Sequence, residues 1–393
     1  MAEWQTVRLG EIVKTNQSTY SPKENWQFVN YLDTGNITMN KIDEIQNINT
    51  AKDKLPSRAR RKVKTNSIIY STVRPNQLHY GIIKKQPDNF LVSTGFTVID
   101  VNYDKAVPDF IYYALTKQEV TEQLQAIAEQ SVSAYPSLKP SDIENLELML
   151  PDKKTQERIV AILRSIDEKI KENNAINNNL LQQAQAVFAK EFLSFDTTPE
   201  GWKESSLLGI ADYLNGLAMQ KFRPKDGENG LPVLKIKGLR QGSCDASSEL
   251  CSPSIKKEYI VHDGDVIFSW SGSLLVDFWC GGTCGLNQHL FKVTSTSFDK
   301  WFYFAWTDHH LQKFAAIAAD MATTMGHIKR EELAKAEVLV PPQAEYERIG
   351  GLLAPIYDLV VANRIENRKL ATLRDELLPR LMSGDLDVSE VSL

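Results

Sequence analysis

Leu146–Leu163 reads LELMLPDKKTQERIVAIL and Ala336–Leu353 reads AEVLVPPQAEYERIGGLL, and the two lie over each other without a gap at an offset of 190 residues. Pro151/Pro341, Glu157/Glu347, Arg158/Arg348 and Ile159/Ile349 coincide. Self-similarity on this scale means that one structural unit occurs twice. Working outward, Asp109-FIYYALT resembles Lys300-WFYFAWT, and Ala126-Ile127-Ala128 matches Ala316-Ile317-Ala318. Each half opens on a tryptophan, in Trp4-QTVRLGEIV and Trp202-KESSLLGIA. The chain is read as two copies of a globular domain followed by a helical region: 1–150 and 151–198, then 199–340 and 341–393.

After each proline motif the hydrophobic spacing changes to alternating fours and threes, the pattern of a coiled-coil seam. The first seam runs Ile159, Leu163, Ile166, Ile170, Asn173, Asn177, Leu180, Ala184, Val187. The second runs Ile349, Leu353, Ile356, Val360, Asn363, Asn367, Leu370, Arg374, Leu377. Both place two asparagines at the same two seam positions, where a buried amide fixes register and orientation by demanding an amide partner. Asn173, Asn177, Leu180, Asn363, Asn367 and Leu370 are therefore the candidate helix-pairing residues; the alternative is that the Asn-rich stretch 173–179 is a solvated face. Pro355 stands where the first copy has Ser165, so the second helix is expected to kink or restart there with Pro355 in its first turn. Ser165-Ile-Asp-Glu168 has the form of a capping box and would restart the first helix at the same place.

Ahead of each helix lie short β-rich runs broken by turn residues: Ser67-IIYSTV, Tyr80-GIIK and Phe90-LVSTGFTVIDV in the first domain, Gly264-DVIFSWSG and Leu290-FKVTS in the second. Each sheet region is followed by an amphipathic helix, near 109–129 and 300–319. The expected class is α+β with loops at the sheet ends.

Charge singles out 54–85. Lys54, Arg58, Arg60, Arg61, Lys62, Lys64, Arg74, Lys84 and Lys85 fall there with no Asp or Glu between them, a pattern suited to phosphate binding. Within it, Arg74, Asn76, Gln77 and His79 carry side chains able to make the paired hydrogen bonds that discriminate bases in the major groove. Arg58, Arg60, Arg61, Lys62 and Lys64 are read as phosphate contacts and Arg74, Asn76 and Gln77 as base readers. The bland alternative is a solvated basic face with a polar turn. In the second domain Lys221, Arg223, Lys235, Lys237 and Arg240 are the phosphate candidates. Ser269, Trp270 and Ser271 are placed near the groove, with Trp270 either stacking on the nucleic acid or packing in the core.

Chemistry is mostly missing. No Walker A, G-x-G-x-x-G or Asn-Pro-Pro-aromatic sequence occurs, so neither nucleotide hydrolysis nor amino-methyl transfer is signalled. Asp152 with Asp167-Glu168-Lys169 has the spacing of a nuclease carboxylate pair, but Asp167 and Lys169 belong to the seam helix rather than to a strand. Cys244, Cys251, Cys280 and Cys284, with His262 and His289 nearby, offer thiolates for zinc; only Cys280 and Cys284 have a usual ligand spacing, and reduced thiols are the expected state. His309-His310 lies on a predicted helix without further ligands. With 42% hydrophobic and 24% charged residues the chain fits an ordinary globular composition, which excludes disordered and collagen-like classes. No leader or apolar run of bilayer length is present, so a cytoplasmic location without membrane contact is expected. The net charge of −5 restricts any phosphate-binding surface to local patches.

The repeated unit resembles the specificity subunit of Type I restriction-modification enzymes over essentially the whole chain. Pro151-DKKTQERIVAIL, Pro341-PQAEYERIGGLL, Gly264-DVIFSWSGSL and the ending Leu378-PRLMSGDL carry the resemblance. The sequence departs from the family pattern at Pro151-Asp152 for a double proline, at Thr155-Gln156 and Glu345-Tyr346 for a Glu-Gln pair, and at Thr65-Asn66 for the Gly-Asp of the strand motif. The resemblance implies two target-recognition domains, each reading one half of a bipartite site in double-stranded DNA, and antiparallel helices that set the spacer. It also implies docking of two methyltransferase subunits and of motor-nuclease restriction subunits. Catalysis would belong to those partners, with S-adenosylmethionine, ATP and magnesium; this chain would be a non-catalytic subunit with no cofactor or metal. A helical interaction scaffold without DNA binding and a stand-alone nuclease are the competing classes.

Overall fold

The computed structural model describes residues 4–131, 135–245, 247–320 and 328–391. The chain divides into two compact units, residues 1–167 with 373–393 and residues 168–372, so each long helix contributes to both. The structure bears out the α+β class, with two similar domains each followed by a long helix.

In the first unit one four-stranded sheet has the order Gln46–Asn49, Phe28–Leu32, Phe90–Ser93, Ala59–Lys62, and a second has Val13–Thr15, Phe96–Val101, Ile68–Ser71, Tyr80–Ile82. The second unit repeats both orders: Leu250–Cys251, Leu231–Leu234, Cys284–Leu286, Ile260–Val261, and Asp212–Asn215, Leu290–Thr294, Val266–Ser269, Leu275–Phe278. The central pair of the first sheet is parallel in each, Phe90–Ser93 beside Phe28–Leu32 and Cys284–Leu286 beside Leu231–Leu234. The segment after each opening tryptophan closes its unit by antiparallel pairing, Gln5–Arg8 with Glu147–Leu150 and Lys203–Ser206 with Glu337–Val340.

The β-rich run from Phe90 to Val101 is two strands in different sheets, because Ser93-Thr94-Gly95 turns the chain at the sheet corner. The expected helix near 109–129 is likewise two helices, Pro108–Leu115 and Gln118–Glu129, parted at Thr116-Lys117, whereas the second unit has one helix, Lys300–Asp320. The register of the strand motif also moves by one. Asn66 and Gly264 both adopt left-handed backbone, φ 67° and 82°, and donate to Ile83 O and Trp279 O. Ser67 and Asp265 then cap the preceding turn, on Lys64 N and His262 N. Gly264-Asp265 thus corresponds to Asn66-Ser67, not to Thr65-Asn66.

The long helices run Lys153–Phe192 and Gln343–Ser383 without interruption. Neither expected restart occurs. Ser165 instead bonds back to Ile162 O at 2.7 Å within the helix. Pro355 removes only its own N–H, and both Pro355 and Gly351, whose carbonyl loses a partner, are exposed to water. The seam residues are buried as their spacing requires: Ile159, Leu163 and Ile166 in the core of the first unit, Ala184, Ile349, Leu353 and Val360 in the second.

The asparagines pair inside the second unit. Asn173 Nδ2 donates to Asn367 Oδ1 at 2.9 Å and Asn363 Nδ2 donates to Asn177 Oδ1 at 2.8 Å. Asn173 and Asn177 are 1% and 5% exposed, which removes the solvated-face alternative for these two, while Asn174, Asn178 and Asn179 do face water. The first asparagine of each copy meets the second of the other, as antiparallel pairing demands. Leu180 and Leu370 are half-buried.

Candidate nucleic-acid interface

Each unit has a corner where two strands leave the second sheet side by side. Ser71 is opposite Phe96 and Ser269 is opposite Leu290 at the last pair of the ladder. Beyond it each serine hydroxyl donates to the carbonyl two residues on, Ser71 to Val73 at 3.0 Å and Ser269 to Ser271 at 3.3 Å. Both serines are fully buried, so they shape the turn and Ser269 itself offers nothing to a ligand.

In the first unit this corner gathers residues distant in sequence. Thr94 N donates to Arg58 O and Thr72 N to Gly95 O, both at 2.8 Å, which sets Arg58, Thr94 and Thr72 in a row beside Arg74. Burial works to raise the neighbouring Asp33 carboxyl, but hydrogen bonds from Thr34 N–H and the Tyr31 and Ser93 hydroxyls, with the Arg58 charge, take it below its ordinary range. From Arg74 the chain makes a single 3-10 turn, Pro75–Gln77, bounded by left-handed Arg74 (φ 49°) and Leu78 (φ 58°). Such backbone is costly for side chains with a Cβ and persists only where the surroundings impose it. Here Gln125 Oε1 accepts from Asn76 N at 3.2 Å, and the Arg74 guanidinium lies 5.1 Å over the Tyr135 ring. Arg74, Asn76 and Gln77 are exposed. Sequence reasoning placed these three together, and the structure presents them on one loop, while His79 turns inward to Ile37 O at 2.6 Å.

The rest of the basic run is dispersed. Arg60, Arg61 and Lys62 form an edge strand, with Arg61 Nε buried and unpartnered among the described residues. Lys62 is ion-paired to Glu24 and sits over Trp26; Lys64 meets Asp100 at 3.7 Å and Lys84 meets Asp109 at 2.6 Å. Lys64 and Lys84 stand at the start of the strand whose far end carries Arg74. Acidic neighbours distant in sequence thus occupy lysines that look unpaired in the linear run.

The second unit pairs most of its expected phosphate contacts in the same way. Lys235 bonds Glu249 at 2.9 Å, Arg223 approaches Glu249 at 3.8 Å and Lys237 meets Asp245 at 3.3 Å. Lys221 and Arg240 are exposed and have no acidic partner within 4 Å among the described residues. Trp270 is half-buried and donates from Nε1 to Asn215 Oδ1 at 3.2 Å, and Ser271 is buried.

The corner between Cys284–Leu286 and Leu290–Thr294 escaped the sequence reading. Asn287-Gln288-His289 takes the place of Ser93-Thr94-Gly95: His289 N bonds Asn287 Oδ1 at 3.2 Å as Gly95 N bonds Ser93 Oγ at 3.3 Å. The loop is clamped on its outer side, Gly216 N to Leu290 O at 3.0 Å, Leu217 N to Leu286 O at 2.9 Å and Gln288 N to Leu217 O at 2.9 Å. A Cβ at Gly216 would lie 2.2 Å from Asn287 O, so the two loops approach this closely only with glycine there. The signal that could have found the corner is the repeat itself, carried through the strands at an offset of 194 residues from Gly95 to His289.

The remaining chemical candidates have structural partners. Asp152 caps the first long helix, accepting from Thr155 N at 3.0 Å and Thr155 Oγ1 at 2.7 Å, bonds that hold its carboxyl below the ordinary range. Asp167 accepts from Tyr113 at 2.7 Å and from Arg374 at 3.0 Å, so these two carboxylates are engaged separately. The four cysteines are free thiols, and no cluster of three or more His, Cys, Asp or Glu suited to a metal occurs among the described residues. His310 bonds Glu337 O at 2.8 Å. Among the described residues no helix is long and apolar enough to cross a membrane.

Two regions, residues 1–182 and 199–374, match the model of the Type I restriction modification DNA specificity domain. The Type I restriction enzyme HindI specificity subunit of Haemophilus influenzae is 24% identical, across 98% of this chain and 100% of that one. The MjaIX specificity subunit of Methanocaldococcus jannaschii is 24% identical, across 79% and 76%. In fold, the chain is similar to the Type I restriction-modification S subunit of M. genitalium, with TM-score 0.58, 13% identity, and 97% and 96% of the two chains covered. With both copies matched and the repeat closing at the same two corners, the chain belongs to the Type I restriction-modification DNA specificity family.

Proposed function

We propose that this chain is the DNA-reading subunit of a Type I restriction-modification complex, each unit contacting one half of a bipartite duplex site. The observation that carries the reading is the pair of equivalent corners, alike in backbone and unlike in side chains. Arg74, Asn76 and Gln77 project from one, and Asn287-Gln288-His289 forms the other. One frame used twice with different polar loops suits the recognition of two different base sequences. Arg58, Lys221 and Arg240 are the stronger phosphate candidates, because among the described residues their charge is not taken up by an acidic neighbour within ion-pair distance; Arg60 and Arg61 remain edge-strand candidates. The paired helices would set the number of base pairs between the halves and dock two methyltransferase subunits, which motor-nuclease subunits then join. Methyl transfer, ATP hydrolysis and cleavage, with S-adenosylmethionine, ATP and magnesium, belong to those partners in this reading, and the complex works in the cytoplasm.

Deleting the gene and mapping methylated adenines across the host genome tests it. Loss of one two-part motif is expected, and an unchanged methylation pattern would overturn the reading. Arg74→Ala should relax one base in one half-site, by about 10-fold in discrimination. Lys62→Ala, already paired to Glu24, should leave the motif intact.

A further inference from the structure

The second unit holds an ordered polar relay at its corner. His289 Nδ1 lies 3.2 Å from Ser271 Oγ and His289 Nε2 lies 3.3 Å from Gln288 Nε2. An amide nitrogen can only donate, so ring Nε2 accepts and the ring proton resides on Nδ1, directed at the serine hydroxyl. Ser271 is 4% exposed, and Gln288 and His289 are half-buried. The backbone beneath is fixed from both sides by the bonds to Leu217 and Asn287. Serine therefore sets the ring, the ring sets the amide, and the amide retains a second N–H. Its Oε1 has no hydrogen-bond partner among the described residues.

A carboxamide with one N–H and its oxygen free is the side chain that pairs bidentately with adenine, donating to N7 and accepting from N6. We infer that Gln288 is a specificity-determining residue of the second unit and reads an adenine, with His289 and Ser271 as its positioning residues. This rests on the reading of the chain as a bipartite DNA reader. The first unit has Thr94-Gly95 in the equivalent place, too short to reach a base edge, and carries its long polar side chains on the Arg74–Gln77 loop instead. The two units thus present their readers from neighbouring loops of one corner.

The test replaces the gene in its host by full-length variants and maps the methylated motif. Gln288→Ala should relax one A·T position in one half-site by about 10-fold or more while the other half-site stays intact. Gln288→Glu, of equal size, accepts but no longer donates and should move the preferred base away from adenine at that same position. Ser271→Ala should relax the same position as Gln288→Ala in a variant that remains folded, and Ser271→Thr should restore it. An unchanged motif in Gln288→Ala, relaxation at a position that is not A·T, or loss of all methylation in a variant that melts like the parent would each overturn the inference. A parent chain supporting no bipartite methylation would instead overturn the reading beneath it.

Discussion

The two units solve the same packing problem with opposite chemistry. In the first, Tyr113 and Arg374 converge on Asp167 at 2.7 Å and 3.0 Å. At the equivalent places in the second stand Phe304, Ala184 and Tyr357: Phe304 meets the Tyr357 ring edge-on at 5.0 Å, and Ala184 is 1% exposed in the core beside them. Burial and the nearby Asp167 charge push the Tyr113 hydroxyl well above its ordinary range, so it stays a donor to the carboxylate. The frame is duplicated, but its contents are matched locally. A seam residue from one copy suits only the partner opposite it.

Exchanging the contents should break the comparison most sharply. Ala184→Arg sets into the second unit the residue the first unit uses, without its carboxylate, and should cost about 3 kcal/mol or more in urea unfolding. Arg374→Ala in the first unit leaves Asp167 with Tyr113 and partial access to water, so about 1–2 kcal/mol is expected. Equal effects of the two substitutions would show that the units do not differ in this way.

The asparagine pairs are what the copies share, and their loss should cost less. Asn177→Ala strands the Asn363 amide, a loss of about 1–3 kcal/mol. The matching Asn173→Ala should fall in the same range, and a neutral result for either would mean that its pair does not hold the seam.

The smallest effect concerns how the second domain is held on its helix. Arg368 bonds Asp263 through both terminal guanidinium nitrogens at 2.7 Å, and Arg364 bonds Asp277 at 2.6 Å; Thr65 stands in the first domain where Asp263 stands in the second. The Arg368 hydrogen bonds hold the Asp263 carboxyl below its ordinary range. A depressed folded pKa gives stability that is present above the unfolded value of about 3.9 and is lost as pH falls through the folded one. Asp263→Asn should flatten the acid limb of the unfolding profile below about pH 4, by under about 1 kcal/mol for this partly solvated pair. An acid limb identical to the parent's would remove the assignment.

The repeat, the seam and its asparagines were legible in the sequence because periodicity and in-register identity record them directly. The Arg74–Gln77 loop was legible because its residues are consecutive. The lysine partners were not: Glu24, Asp100 and Asp109 lie at least 25 residues from Lys62, Lys64 and Lys84, and only the folded chain brings them together. The corner at Gln288 was hidden because Cys284-Gly-Leu-Asn-Gln-His mixes apolar and polar residues without a period, and the Phe90–Val101 run hid its turn because Ser93-Thr94-Gly95 is flanked on both sides by β-forming residues. Helix continuity through Pro355 was misjudged because propensity penalises proline without regard to whether the abandoned carbonyl can reach water.

Gly216 is a point of vulnerability for the corner of the second domain. One added methyl group would collide with the Asn287 carbonyl and lift the loop that carries Gln288, while the paired helices and their asparagines lie outside the clash. On the proposed reading, a chain altered there would still assemble as a scaffold yet be blind on one side, which makes the smallest residue in the corner a switch between a two-word and a one-word address.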